Sequence, residues 1–223
     1  MNDNAPVGRL ILVPALITLA VTALRLVGEL LRWDPRLFSR EAGGAGAIVG
    51  IVWLVPIFGV YFARKLVSAG RGPAAAGRAL GMALLALAPI PLAIFVGSAL
   101  KLPFLGMLPI LAVSSLIAAF VAFRAWPALG RVLMAYGLAA RIPVALVMLV
   151  AMAANWGTHY ELGPPGLPPM GLFTKWLLLG LVPQMTFWIA FTMVVGGLFG
   201  SVTALLAGRT RAGGPALAPT GQA

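Results

Sequence analysis

The chain has 223 residues, of which 61% are hydrophobic and only 9% are charged, and its mean hydropathy is +1.01. Soluble domains carry roughly 25% charged residues, so a water-soluble fold of this length could not bury so much apolar surface. The sequence contains no cysteine, which excludes disulfides, thiolate nucleophiles, iron–sulfur clusters and cysteine-ligated zinc. Together these properties predict an all-α, polytopic integral membrane helix bundle.

The net charge of +11 would suggest nucleic acid as the partner of a soluble protein. Here the basic residues lie in short connections between apolar runs, where they set the topology and contact anionic lipid headgroups. We therefore expect the lipid bilayer, with anionic headgroups at its cytoplasmic face, as the partner of these residues, and no nucleic acid.

Six apolar segments are each close to the ~20 residues that cross a bilayer as a helix. They predict a single transmembrane domain over residues 1–208, followed by a tail, 209–223, whose composition is typical of disorder. The tripeptide Lys101-Leu102-Pro103 leaves room only for a tight turn, so the third and fourth spans should be antiparallel neighbours. The expected spans are approximately 8–31, 45–62, 79–100, 104–123, 132–156 and 176–206.

The first span has two interpretations. A positive residue, an apolar run and Val21-Thr22-Ala23 could form a signal peptide that is cleaved after Ala23. The apolar character continues through Leu30 and Leu31 without a polar start to a mature chain, which favours an uncleaved membrane helix.

Four charged residues at the end of the first span are separated by four, three and four positions and so share one helical face: Arg25, Glu29, Arg32 and Arg36. This face either lines a solute path or belongs to an interfacial amphipathic segment, in which Arg25 and Glu29 pair at i, i+4. Asp34-Pro35 then predicts the start of a short helix that ends at Gly43-Gly44.

The fifth span is ambiguous. It either begins near Leu129 and places Arg141 deep in the bilayer, or Trp126–Ala140 is an interfacial helix and the span is Ile142–Trp156. A central arginine costs at least about 2.5–3.5 kcal/mol on insertion scales, which favours the interfacial placement. That placement leaves a short span, which requires local bilayer thinning. A buried Arg141 could instead bind an anionic headgroup, a carboxylate or a phosphate.

The single histidine, His159, lies beside Tyr160 and Glu161 in the loop after the fifth span, which also holds Trp156 and the proline-rich segment 163–169. Acid–base catalysis by His159 is one possible function. A more ordinary role is an ordered external loop in which Trp156 and Tyr160 anchor at the interface. A metal site would need further ligands, and a haem held by two histidines is excluded, so we expect neither a metal nor a cofactor.

Prolines near the middle of several spans predict bent helices. Gln184 follows one of them, Pro183, and could either line a cavity at a kink or form a helix–helix hydrogen bond. Small residues supply faces for close helix packing, against another span or another protein. The packing residues are Gly46, Gly50, Gly196, Gly200 and Ala204, with Gly208 continuing the last stripe.

The distribution of basic residues predicts the orientation. Nine of them fall on the side of the N-terminus and the tail and five on the other side, with Arg25 not counted. The positive-inside rule then predicts a plasma (inner) membrane protein with both termini in the cytoplasm and His159 outside.

Three functions follow from these features. The leading one is a small permease-like or solute/lipid-binding transporter, and the second is a non-catalytic accessory or scaffold subunit that packs, or forms homo-oligomers, through the small-residue faces. The third is a membrane enzyme that acts at the outer leaflet through His159 and Glu161. The expected substrate-binding residues are Arg25, Glu29, Arg141, Gln184, Trp156 and Tyr160.

Overall fold

The computed structural model of the chain describes residues 7–44 and 46–212. These residues form α-helices joined by turns, with no β-strand among them. A 3₁₀ turn, Ala42–Gly44, follows the first helix, and a π-helical segment, Trp176–Leu181, separates α7 from α8. The helices are α1 (Val7–Leu30), α2 (Leu54–Ser68), α3 (Ala76–Leu85), α4 (Pro89–Ala99), α5 (Phe104–Ala125), α6 (Pro127–Ala154), α7 (Leu172–Lys175), α8 (Val182–Met185) and α9 (Phe187–Ala212).

The outer surface of the bundle is apolar. Val13, Phe95 and Phe120 are 60%, 70% and 62% exposed, which is favourable only where lipid replaces water. The structure therefore confirms an all-helical bundle in which five segments of the described chain are long and apolar enough to span a membrane. These segments are Val7–Leu30, Ala76–Ala99, Phe104–Ala125, Pro127–Ala154 and Leu172–Gly208.

The second span differs from the helix expected over 45–62. Residues 46–53 are irregular, and α2 has 15 residues, which makes it ~22 Å long against the ~30 Å of a hydrocarbon core. Gly46 has φ +79°, which stops a helix from starting there. Pro56 lies in the first turn of α2, where a missing N–H costs no hydrogen bond, and not near the middle of a span.

The amphipathic helix expected after the first span does not form in the described residues. α1 ends at Leu30, and Arg32 has φ 54°, a left-handed conformation that terminates the helix. The Asp34 carboxylate accepts a hydrogen bond from the backbone N–H of Arg36 at 2.9 Å and so closes a turn instead of starting a helix.

The fifth span is one continuous helix, α6, so the interfacial placement of Trp126–Ala140 is wrong. Leu129 and Tyr136 lie in the buried core of the bundle, where a helix on the membrane surface could not be. Arg141 lies at the middle of α6 and is 4% exposed.

The small-residue stripe of α9 is covered by the same chain. A Cβ added to Gly59 of α2 would lie 2.6 Å from the Gly196 carbonyl oxygen, and one added to Gly200 would lie 3.4 Å from the Ala63 Cβ. Ala204 is buried in the same core. α2 and α9 are thus parallel and in backbone contact, as small residues allow.

The remaining glycines of that set lie elsewhere. Gly46 and Gly50 are in the irregular segment before α2, so they present no helix-packing face. Gly208 is exposed, and an added Cβ there would meet no described atom within 4 Å. α9 continues to Ala212, past the expected helix end, and the rest of the predicted tail, 213–223, lies outside the described residues.

Contacts between helices fix their directions. Thr18 of α1 is hydrogen-bonded to Tyr136 of α6 at 2.8 Å, and further along both helices Arg25 and Arg141 line one cavity, so α1 and α6 are parallel. Gly196 of α9 packs on Leu133 and Gly137 lies near Thr192, so α9 is antiparallel to α6.

These directions define two ends of the bundle. The histidine end holds the end of α1, the end of α6 and the loop 155–171. The basic end holds the end of α2 and the start of α3. Exposed or half-exposed basic residues collect at the basic end: Arg64, Lys65, Arg71, Arg78, Arg124 and Arg131.

We predict that Gly59→Ala lowers the free energy of unfolding by about 1–3 kcal/mol, because the added Cβ would overlap the Gly196 carbonyl and force the helices apart. The matched control is Gly81→Ala in α3, where no atom lies within 4 Å and alanine should stabilise the helix by up to about 1 kcal/mol. Thermal unfolding in mild detergent measures both. Equal effects of the two substitutions would contradict this packing.

Candidate functional site

A cavity of about 470 Å³ lies at the histidine end. Its walls come from α1, α6, the segment 42–52, the loop 159–165 and the broken helix 179–188. Most of the lining is apolar, including Val21, Ile51, Val144, Met148 and Leu179. Five of the residues expected to be functional line it together: Arg25, Arg141, His159, Tyr160 and Gln184.

Glu29 holds the wall of this cavity in place. Its side chain is buried, 1% exposed, and its Oε1 accepts a hydrogen bond from Arg25 Nε at 2.9 Å. The predicted i, i+4 pair therefore forms, but in the interior and not on a membrane surface. Arg25 Nη2 also donates to the carbonyl oxygens of Gly44, at 3.1 Å, and of Ser39, at 3.4 Å. One arginine thus attaches the segment after α1 to the helix.

Gly44 is required at this contact. It has φ +71°, and an added Cβ would lie 2.7 Å from Arg25 Nη2 and 2.9 Å from His159 Cδ2. Both the left-handed conformation and the lack of space favour glycine.

His159 binds the same carboxylate from the other side. Its backbone N–H donates to Glu29 Oε2 at 3.0 Å, and its Nδ1 lies 2.5 Å from Glu29 Oε1. Burial lowers the pKa of His159 below its ordinary value, against the opposing effect of the hydrogen bond to Glu29. The imidazole is therefore neutral at pH 7, with Nδ1–H as the donor and Nε2 as a free acceptor.

Tyr160 packs directly on this histidine, with ring centroids 3.9 Å apart. Its side chain is buried, and that burial raises the pKa of the phenol above its ordinary value. The hydroxyl therefore stays protonated over the physiological range and can donate a hydrogen bond within the cavity.

Glu161 and Trp156 do not line the cavity. Glu161 Oε1 accepts a hydrogen bond from the Gly157 backbone N–H at 2.6 Å, which stabilises the loop itself. Trp156 packs against the small cluster around Met148 and Met152. The carboxylate that pairs with His159 is Glu29, which is 130 residues away in the sequence.

Arg141 is different from Arg25, because nothing in the described chain neutralises its charge. No described residue accepts a hydrogen bond from its side chain, and its Nε is buried without a partner. Trp188 covers one face of the guanidinium, with Cζ 4.5 Å from the ring centroid. Among the described residues, Arg25 is the cation paired with Glu29, and the neutral His159 adds hydrogen bonds to the same carboxylate. Arg141 is thus a buried positive charge at the cavity wall.

Gln184 completes the polar lining on the opposite helix. Its Nε2 makes only a weak contact with Met148 Sδ at 3.6 Å, and its Oε1 is buried without a hydrogen-bond partner. The backbone here departs from an α-helix: the π-helical segment ends at Leu181, just before Pro183, which cannot donate a backbone hydrogen bond. Such π-helical turns are frequent at functional sites.

Two contacts were not expected from the sequence. The hydrogen bond between Thr18 and Tyr136 joins α1 to α6 beneath the cavity. Trp188 stacks on Arg141, and its position four residues after Gln184, on the same helical face, is the only local signal for it.

Within the described ranges, no serine, threonine or lysine side chain is hydrogen-bonded to His159, and no three potential metal ligands group together. Comparison of the chain with protein-family models, curated proteins and solved structures finds no match. The chemistry of the cavity therefore carries the functional interpretation.

We predict that the protein loses stability as the pH falls below about 6.5, the ordinary pKa of histidine. Burial lowers the pKa of His159, so below pH 6.5 the unfolded chain binds a proton more readily than the folded chain does. The free energy of unfolding therefore falls as the pH drops from the ordinary pKa through the lowered pKa of the folded protein. The melting temperature measured between pH 7.5 and pH 5 tests this.

The control is His159→Asn, whose amide N–H can still donate to Glu29 but does not titrate. We expect a shallower dependence of the melting temperature on pH for this variant. A slope identical to that of the unchanged protein would show that another group is responsible.

Proposed function

We propose that this protein is a small permease-like membrane protein that binds a solute or lipid in the cavity between α1 and α6. The observation that carries the proposal is the convergence of six polar side chains, Thr22 among them, on one cavity inside a mostly apolar bundle. Ionisable groups are costly within a membrane and are found there mainly where they serve a binding or transport pathway. A concave, mostly apolar site with a few converging polar groups is the usual form of a small-molecule site.

The chain path supports six crossings of the membrane. α1 ends at the histidine end and α3 begins at the basic end, so residues between them must cross the bundle. We propose that the segment 46–53 and α2 make this crossing together. Irregular backbone is tolerated at membrane depth only where protein buries it or where it lines a cavity, and Gly50, Ile51 and Val52 do line the cavity.

The basic end supports a location in the plasma (inner) membrane with both termini in the cytoplasm. Clustered basic residues stay on the cytoplasmic side and contact anionic headgroups there. The cavity then faces the exterior. The loop 156–161, held to α1 by His159 and Glu29, is the element that would have to move for a solute to enter or leave.

The two other functions have less support. A scaffold subunit would offer its small-residue stripe to a partner, but α2 and α6 of the same chain cover Gly196 and Gly200. A membrane enzyme would need a reacting group beside His159, and its described hydrogen bonds run only to Glu29.

We predict that the histidine end is extracellular. Because the chain has no cysteine, single cysteines report accessibility directly, and Pro168→Cys and Ser68→Cys place one at each end. A membrane-impermeant maleimide should label residue 168 in intact cells and residue 68 only after the membrane is opened. The reverse pattern would overturn the orientation.

We predict that Val21→Trp reduces binding to the cavity, because Val21 lines it and the larger ring would fill the space. The matched control is Leu16→Trp on the same helix, at a position that is 56% exposed on the outer surface. Native mass spectrometry of protein incubated with dodecanol, dodecanoate or dodecyl phosphate counts the bound molecules. Binding that is absent from the unchanged protein, or equal in the two variants, would overturn the proposal.

A further inference from the structure

The charge balance of the cavity leaves one positive group without a counter-charge. Arg25 is paired with Glu29, and burial keeps His159 neutral. Arg141 is 4% exposed, lines the cavity and has no hydrogen-bond acceptor among the described residues. A buried guanidinium is stable when its N–H groups and its charge are matched. The described residues leave both unmatched at Arg141, and the cavity is where a partner has room.

The surroundings of Arg141 restrict how that partner can approach. Trp188 covers one face of the guanidinium at 4.5 Å, and the N–H groups lie in the guanidinium plane, so a hydrogen-bond acceptor has to approach at an edge. An edge of this kind matches the two oxygens of a carboxylate or a phosphate. A neutral hydroxyl would satisfy a hydrogen bond but not the charge.

Gln184 supplies a second polar contact at the same cavity. In either orientation of its amide, one polar atom lacks a strong partner, since the described residues offer this amide only the thioether of Met148 at 3.6 Å. With the NH₂ group turned into the cavity, Gln184 offers a hydrogen-bond donor in addition to those of Arg141.

The rest of the cavity lining determines which chemical class the uncharged part of the ligand belongs to. Val21, Val144, Met148 and Leu179 form an apolar wall that favours a hydrocarbon or aromatic portion over a sugar or a free inorganic ion. The charged end and the apolar wall together describe an amphiphile.

We propose that the cavity binds an amphiphile whose single anionic headgroup, a carboxylate or a phosphate, pairs with Arg141 while its apolar part lies against Val144 and Met148. This inference rests on the proposed function and adds to it the chemical class of the ligand. The same headgroup chemistry is available from a free amphiphile and from an anionic phospholipid of the bilayer.

The test measures saturable binding of radiolabelled dodecanoate, dodecyl phosphate and dodecanol to the full chain in phosphatidylcholine nanodiscs at pH 8, with empty nanodiscs subtracted. We expect at least one of the two anionic probes to bind tenfold more tightly or better than dodecanol. Nanodiscs that contain phosphatidylglycerol distinguish the sources: competition with the anionic probe indicates that the phospholipid headgroup occupies the site, and unchanged binding indicates a free amphiphile.

Variants assign the preference to the residue. Arg141→Gln should remove the preference for the anion and keep dodecanol binding, whereas Arg141→Lys should retain part of the preference because the charge remains. The matched control is Arg131→Gln, an exposed arginine of the same helix, which should bind all probes as the unchanged protein does. If Arg141→Gln does not fold, the binding of the three probes to the unchanged protein and to Arg141→Lys still tests the preference for an anionic headgroup.

The outcomes separate the two proposals. If no probe binds, both the proposed function and this inference fail. If dodecanol binds as tightly as the anionic probes, or Arg141→Gln keeps the preference, the cavity is a binding site and the assignment of an anionic ligand is wrong.

Discussion

The buried carboxylate of Glu29 is the group on which the histidine end depends. A buried charge is stable only when it is paired and hydrogen-bonded, and Glu29 meets this condition through Arg25 at 2.9 Å and through two atoms of His159. These partners belong to different segments. Arg25 is hydrogen-bonded to the turn that contains Gly44, and His159 belongs to the loop after α6. Satisfying one carboxylate therefore brings three separate pieces of chain together and forms the wall of the cavity.

The two cavity arginines then have different roles. Arg25 has a carboxylate and two carbonyl oxygens as partners, so it stabilises the fold. Arg141 has the face of Trp188 and no acceptor in the described chain, so its position costs stability. Proteins keep such locally unfavourable groups mainly where function requires them. In the function that we propose, the difference between these two arginines, one paired and one not, separates the structural part of the site from its binding part.

The sequence predicts those features that depend on local spacing or composition. The helical bundle follows from hydropathy, and the Arg25–Glu29 pair follows from a separation of four residues. The contact of Glu29 with His159 spans 130 residues and has no local signal. The interfacial placement of Trp126–Ala140 is wrong because an insertion cost assigned to Arg141 alone takes no account of a cavity beside it. Residues 46–53, which were expected to be helical, are irregular instead, and Gly46 adopts a left-handed conformation at their start.

Two departures from regular helix both lie at the cavity. The irregular segment 46–53 lines the cavity on one side, and the π-helical segment with Pro183 lines it on the other. Backbone groups freed by such breaks cannot face lipid, so they need either protein partners or an internal space. Helix breaks on both sides also permit the walls to shift without unwinding a complete span. In the function that we propose, the uncompensated arginine supplies the means to bind an anion, and the two interrupted segments beside it supply the means to release it.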